Sequence, residues 1–204
     1  MEKTDVKIAV LVSGGGTNLQ ALIDAQSSGI IKSGKICLVI SNKADAYALE
    51  RAKRAGIKTA IVSKTELGQA GMEEKIIELL TENQIDFIVL AGFMCILSAQ
   101  FTKKYDHRII NIHPSLIPSF CGEGYYGLRV HKAALEKGVK VTGATVHFVN
   151  EIPDGGEIIL QKAVTVPDGS TPESLQKRVM ELAEWEILPL ACEMVSKKIR
   201  EKEI

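Results

Sequence analysis

Four short apolar runs, at positions 7–12 (KIAVLV), 35–41 (KICLVIS), 58–62 and 86–91 (DFIVLA), alternate with longer segments of helical character. The runs lack the strict polar alternation of a half-exposed strand. That is the pattern of strands covered on both faces within a parallel sheet. The segments between them, 19–28, 44–55 and 72–83, read as helices. Ile76, Ile77, Leu79 and Leu80 mark the buried face of the third, and Gly56 stops the second. Strand and helix in regular succession with short connections predict a doubly wound parallel sheet.

From residue 108 the rhythm changes. A short strand, 108–113, is stopped by Pro114, and a loop rich in glycine and aromatic residues, 118–127, precedes a helix over 128–137. Two further strands, 141–149 and 157–166, are joined by the turn-rich stretch 150–156 (NEIPDGG), as in a hairpin. Thr171 can cap a long terminal helix, with Pro172 in its first turn and Glu173 at its positive end. The expectation is an α/β fold built on one mixed sheet. Its amino-terminal half is parallel, its carboxyl-terminal half continues with antiparallel strands, and helices cover both faces. No repeat or linker divides residues 1–204, so a single domain is expected.

Composition narrows the choice of partners. Hydrophobic residues make up 46% of the 204 and charged residues 25%, enough apolar material for a packed core. Twenty-five basic and 25 acidic side chains cancel, which removes any electrostatic reason to expect nucleic acid or an anionic membrane as the main partner. No apolar run approaches the roughly 18 residues of a membrane span, and the run at 8–12 is too short for a signal peptide. Cys37, Cys95, Cys121 and Cys192 lie far apart with no CxxC pair. Reduced thiols in a cytoplasmic protein are expected, with neither disulfide framework nor zinc site.

The stretch 13–18 (SGGGTN) joins the first strand to the first helix, where backbone N–H groups and the positive helix end suit a phosphate. A dinucleotide fingerprint would need a third glycine at position 19, which is Leu19. The acidic residue expected about 20 positions on is also missing, since the second strand ends Ser41-Asn42. The GxxxxGK of residues 29–35 precedes a strand and has Ile36 in place of the Ser or Thr that would hold magnesium, so it is no phosphate loop. What remains is either a site for a terminal phosphate ester, helped by the side chains of Thr17 and Asn18, or a tight turn with an ordinary cap.

Asn111 and His113 lie two apart on a strand and therefore share a face, at an edge where carbonyl chemistry can be served. An amide can donate to a developing oxyanion, and an imidazole can add a donor or a proton. Asp154, in a Pro-Asp-Gly-Gly turn, could orient that imidazole if the hairpin folds over the sheet edge. The plain alternatives are a histidine bonded to backbone, an asparagine closing a turn, and the commonest of turn dipeptides. His107 reads as solvated, His131 as a helix residue beside Lys132, and His147 as one position of a strand. No histidine pair has metal-ligand spacing, and there is no GxSxG elbow, so neither a metal site nor a serine hydrolase is expected.

The runs VLVSGGGTNLQALIDA, SNKADAYALERAKRAGI, VLAGFMCILS, NIHPSLIPSF, TGATVHFV and DGGEIILQ, spread from Lys7 to about Leu190, closely resemble the folate-dependent phosphoribosylglycinamide formyltransferases. The resemblance implies a single-domain, Rossmann-like formyltransferase fold with a phosphate-binding half over about 7–112 and a folate-site and catalytic half over 113–204. It implies transfer of a formyl group from 10-formyltetrahydrofolate, the co-substrate, to the amine of 5-phosphoribosylglycinamide, a one-carbon step of purine synthesis. It also implies a substrate phosphate on Gly15, Gly16, Thr17 and Asn18, and a ribose contact from Glu184. Folate contacts would fall on Met94, Cys95, Ile96, Leu97 and Asn111, and catalysis on Asn111, His113 and Asp154. No metal, nicotinamide or flavin is implied, and the protein would be a monomer or homodimer without nucleic-acid or membrane partners. Cys95 and Gln69 stand where many members of the family carry basic residues, and the stretch 120–127 is longer than in many of them. Three other readings compete: a formyltetrahydrofolate hydrolase, which would usually carry a regulatory domain; a methionyl-tRNA formyltransferase, which would need an RNA-binding domain; and a sugar-phosphate binding module without catalysis.

Overall fold

The computed structural model describes residues 5–204. Seven strands form one sheet: β1 (Val6–Val12), β2 (Gly34–Ser41), β3 (Lys58–Ile61), β4 (Phe87–Leu90), β5 (Ile109–His113), β6 (Val141–Phe148) and β7 (Ile158–Thr165), in the spatial order β3-β2-β1-β4-β5-β6-β7. Pairings are parallel from β3 through β5 and antiparallel from β5 to β6 and β7. The expected parallel half continued by antiparallel strands is therefore present.

The two-faced burial read from the apolar runs is visible in β1. Ile8, Val10 and Val12 pack into one core with Leu19 and Leu22 of α1 (Thr17–Ser27) and with Ile187 and Leu188 of the terminal helix. Ala9 and Leu11 point the other way, into a second core with Met72, Ile76 and Leu80 of α3 (Lys64–Glu82). A two-residue period feeds two apolar layers at once, which is why no polar position interrupts the run.

Strand order reverses at β1, which has β2 on one side and β4 on the other. In open α/β sheets such a switch point opens a crevice past the carboxyl ends of the strands. Leu11 pairs with Leu90, and Leu90 with Asn111. The loops leaving β1, β4 and β5 therefore emerge side by side into that crevice.

Several elements depart from the expected boundaries. Helix α2 (Tyr47–Arg54) is close to its reading, but α3 starts eight residues before position 72, capped by Ser63. Its early turn is interrupted at Gly68, whose φ of 71° and ψ of 179° are not helical. A short α4 (Ala99–Lys104), capped by Ser98, had no sequence counterpart, while α5 (Leu128–Lys137) lies where it was expected. The terminal helix is three pieces: α6 (Pro172–Val179), a π-helical turn (Met180–Glu184) and α7 (Trp185–Glu201). Thr171 does cap it, in a reciprocal arrangement with Ser174. The break lies just upstream of Pro189, which has no N–H for the carbonyl of Trp185, and π turns are common where a helix is locally irregular.

The connection from β6 to β7 returns closely over the sheet. A Cβ at Gly156 would stand 1.8 Å from the carbonyl oxygen of Phe148, so only glycine permits this approach. Its consequence is the placement of Asp154.

Candidate active site

Asn111 and His113 leave the end of β5 on the same face, as the strand period requires. Antiparallel pairing then sets His147 of β6 directly opposite Asn111. Asp154 arrives from the β6–β7 connection with φ 55°, a left-handed conformation that Asp tolerates better than most residues. Its carboxylate lies between the two imidazoles: Oδ2 is 3.3 Å from His113 Nδ1 and Oδ1 is 3.5 Å from His147 Nε2. Both histidines are almost wholly buried.

The tautomers follow from the partners. His147 Nδ1 is 2.7 Å from the carbonyl oxygen of Phe148, which can only accept, so Nδ1 carries the proton. In the neutral ring Nε2 is then an acceptor, and the Asn111 amide donates to it at 3.3 Å and to Asp154 Oδ1 at 3.5 Å. His113 Nε2 is 2.9 Å from the carbonyl oxygen of Phe120. The His113 ring thus faces an acceptor at each nitrogen. A neutral ring satisfies one of them and a protonated ring satisfies both.

The loop after Pro118 straps this group from outside. Phe120 offers its carbonyl to His113, and Gly122 donates its N–H to Asp154 Oδ2 at 2.9 Å. Phe120 and Gly122 both have positive φ, 50° and 86°. Such backbone is strained for the phenylalanine and needs a surrounding structure that enforces it. Burial lowers the pKa of His113 by more than Asp154 and the Phe120 carbonyl raise it. For Asp154 burial pulls upward, but the two imidazoles and the Gly122 N–H together outweigh it, leaving the carboxyl below its ordinary value and ionised at neutral pH.

His147 was passed over in the sequence because only strand register reveals its neighbour. His131 lies on a helix beside Lys132, as read, but faces inward. It is buried, its two nitrogens have no hydrogen-bond partner among the described residues, and burial next to His113 pushes its pKa down to about 4, so it stays neutral. His107 is half exposed beside Asp106, as read.

The glycine loop occupies the neighbouring part of the crevice. Gly16, φ 71°, ends it as the residue before α1, and no side chain caps that helix. A Cβ there would lie 2.6 Å from Ala48 Cβ, so glycine is required both by conformation and by space. Arg51 braces the loop by donating to the Gly15 carbonyl at 2.8 Å. The first amides of this 11-residue helix have no side-chain cap and the backbone at Gly14 and Gly15 is open, which are the donors and the space that an anion needs.

Asn18 donates from Nδ2 to Glu184 Oε2 at 2.7 Å, while its Oδ1 is buried without a partner among the described residues. Glu184 lies in the π-helical turn and is 6% exposed. Burial pushes its carboxyl up to about 7 from an ordinary 4.5, and the Asn18 amide recovers only part of the difference. Between those two pH values the unfolded chain releases a proton that the folded chain keeps, so Glu184 makes the protein less stable as pH rises from about 4.5 to about 7. In Glu184→Gln that contribution should vanish. The melting temperature at pH 8 minus that at pH 5 should therefore be more positive in the variant than in the parent protein, and an unchanged difference would refute the assignment.

The segment after β4 completes the crevice. Met94 and Ile96 are exposed, 51% and 60%, whereas Leu97 is buried in the core beside Phe101 and offers only its backbone. Cys95 is half-buried and accepts from the Asn42 amide at 3.1 Å. Met94 N–H donates to Ser13 Oγ at 2.8 Å, which ties this segment to the glycine loop. Among the described residues no group of three or more His, Cys, Asp or Glu side chains is arranged to hold a metal ion, and no helix is long and apolar enough to cross a membrane.

Residues 6–192 match the formyl transferase family model. The chain is 47% identical over 185 residues to the phosphoribosylglycinamide formyltransferase of Haemophilus influenzae, covering 90% of this chain and 84% of that one. It is 47% identical over 196 residues to the human trifunctional purine biosynthetic protein adenosine-3, covering 96% of this chain but only 19% of the human one. Against the trifunctional relatives the chain therefore spans about a fifth of their length. In three dimensions it superposes on glycinamide ribonucleotide transformylase 1 from Symbiobacterium toebii with a TM-score of 0.89 at 40% identity, covering 97% of this chain and 90% of that one.

Proposed function

The chain belongs to the formyl transferase family, and from that premise we propose that it transfers the formyl group of 10-formyltetrahydrofolate to the amine of 5-phosphoribosylglycinamide. The observation that carries this reading is the Asn111–His113–Asp154 group, set beside a glycine loop and an exposed apolar segment on one crevice. The phosphate would lie on Gly15, Gly16, Thr17 and Asn18, with Glu184 toward the ribose. The formyl donor would lie along Met94–Leu97, its formyl carbon near Asn111. In terms of the chain, residues 7–112 would hold the phosphate and residues 113–204 the catalytic carboxylate, with Met94–Leu97 reaching into the folate side from the first half. All these groups come from one chain.

The neutral amine nitrogen attacks the formyl carbon. A C–N bond forms, and the carbonyl pair moves onto oxygen. Asn111 Nδ2–H faces that oxygen as a donor, and His113 Nε2–H is the second. In the present arrangement His113 gives this N–H to Phe120, so the Phe120 carbonyl has to yield it when the formyl oxygen arrives. Asp154, ionised, holds the imidazole and accepts the amine proton through a water. The bond to the folate N10 then breaks, N10 takes that proton, and tetrahydrofolate leaves. Charge and protons balance without any metal step.

A hydrolase would use the same donors with water as the nucleophile. The two are separated by following tetrahydrofolate formation from 10-formyltetrahydrofolate by absorbance. Release that depends on phosphoribosylglycinamide supports the transferase. Equal release without it would make the protein a hydrolase, and no release under either condition would leave a sugar-phosphate binding module.

A further inference from the structure

We propose that Gln69 and Glu73 of α3 are positioning residues that hold the Met94–Ser98 segment in its ligand-ready shape, and that Gly68 exists to aim Gln69 at it. This rests on the folate-side reading of that segment. Three features left unexplained by the catalytic group converge here. Glu73 is a buried carboxylate, 7% exposed, far from Asp154 in sequence and bonded to neither histidine. Gly68 breaks α3 with a left-handed φ of 71° although a Cβ there would meet nothing within 4 Å, so its backbone angle and not crowding calls for glycine. Gln69, a neutral residue, follows directly.

The hydrogen bonds join them. Glu73 Oε1 accepts from Ser98 N–H at 2.7 Å and from Gln69 Nε2, and Glu73 Oε2 accepts from the Ser98 hydroxyl. Gln69 Nε2 also donates to the carbonyl oxygen of Ile96 at 3.0 Å. Ser98 Oγ in turn accepts from Phe101 N–H, capping α4. One amide group therefore ties a buried carboxylate to the middle of the exposed segment, and the carboxylate ties the segment's end to the start of the next helix. With Ser13 on Met94 and Asn42 on Cys95, four of the five residues 94–98 are pinned while Met94 and Ile96 keep their side chains outward.

The physical consequence is preorganisation. Leu97 anchors the segment by burial, but the exposed side chains of Met94 and Ile96 give it little, and their stretch of backbone would otherwise sample conformations that a ligand must restrict on binding. Polar clamps on its carbonyl and its end remove that cost before the ligand arrives. The clamp is made of groups that touch the segment's backbone and leave the reacting atoms alone. It should therefore govern affinity for the formyl donor and leave the chemical step untouched.

Gln69→Met keeps the length of the side chain and removes the donor, and Gln69→Glu removes the donor while setting a second carboxylate against Glu73. In both, KM for 10-formyltetrahydrofolate should rise about threefold to tenfold, the size of one lost hydrogen bond, with kcat and KM for phosphoribosylglycinamide within twofold of the parent. Amide hydrogen exchange supplies a readout independent of turnover: in both variants residues 94–98 should exchange faster, with the β1 and β5 amides unchanged. An unchanged KM for the donor together with unchanged exchange at 94–98 overturns the proposal. So does a uniform loss, in which kcat, both KM values and exchange across the sheet all worsen. If the parent protein shows no turnover at all, the functional reading fails, and the clamp is then decided by exchange alone.

Discussion

Asn111→Ala is expected to lower kcat about 10²- to 10³-fold, the usual cost of one preorganised oxyanion donor, with both KM values changed little. The size of the effect comes from where Asn111 stands. Its Nδ2 lies 3.3 Å from His147 Nε2 and 3.5 Å from Asp154 Oδ1, at the centre of the group. Truncation removes that donor from the formyl oxygen. Steady-state kinetics with each substrate varied, beside a melting curve to show that the sheet is intact, check this. A kcat within threefold of the parent would remove Asn111 from the reaction.

Asp154→Asn is the second large effect, with an expected fall in kcat of about 10³-fold. The substitution isolates charge from shape. An asparagine oxygen can still accept the Gly122 N–H that Asp154 now accepts at 2.9 Å, so the strap formed by the 120–127 loop should persist. What disappears is the anion between His113 and His147. Without it, burial acts on His113 unopposed by its main counter-charge, so the imidazole pKa falls further and its protonated form becomes rarer. Because Asp154 is held below the ordinary carboxylate value, it is ionised throughout pH 5–8 in the parent. The anion is therefore missing at every pH in that range, and the deficit should be no smaller at pH 5, because only the parent's carboxylate helps His113 to hold a proton there. A pH–rate profile measures it. Near-parental activity would reduce Asp154 to a turn residue, and recovery at low pH would mean that a proton on His113, and no carboxylate, was what mattered.

Local order was well represented in the chain. Apolar runs and the turn signals between them placed all seven strands, and most clearly β1 and β4, where cover on both faces leaves no polar position to interrupt the run. Thr171 announced its helix, since a cap is a contact between residues three apart. Asn111 and His113 were legible as a pair for the same reason: two residues apart on a strand share a face whatever else the fold does. The Gly-Gly-Gly loop could be read either as a phosphate site or as a tight turn, and Glu184, matched only by resemblance, is joined to Asn18 at its end.

The features that stayed hidden depend on contacts between distant parts of the chain. His147 read as one position of the strand at 141–149 until register set it against Asn111, 36 residues away. Asp154 could be read as a turn residue or as a carboxylate for His113, and the approach that Gly156 permits to Phe148 brings it to that imidazole. The burial of His131 was not legible beside Lys132, because it depends on how its helix packs. The Gly68 break and short α4 were missed because a helix start is decided there by what Gln69 and Ser98 bond to, and those partners lie 27 and 25 residues away. The sequence by itself determined the strands, most of the helices and the chemistry available at the end of β5, because periodicity and capping are local and each is enforced within a few residues. Only the tertiary structure decided which carboxylate meets which imidazole, since a charge placed between two buried rings is stable only where the surrounding backbone supplies its donors.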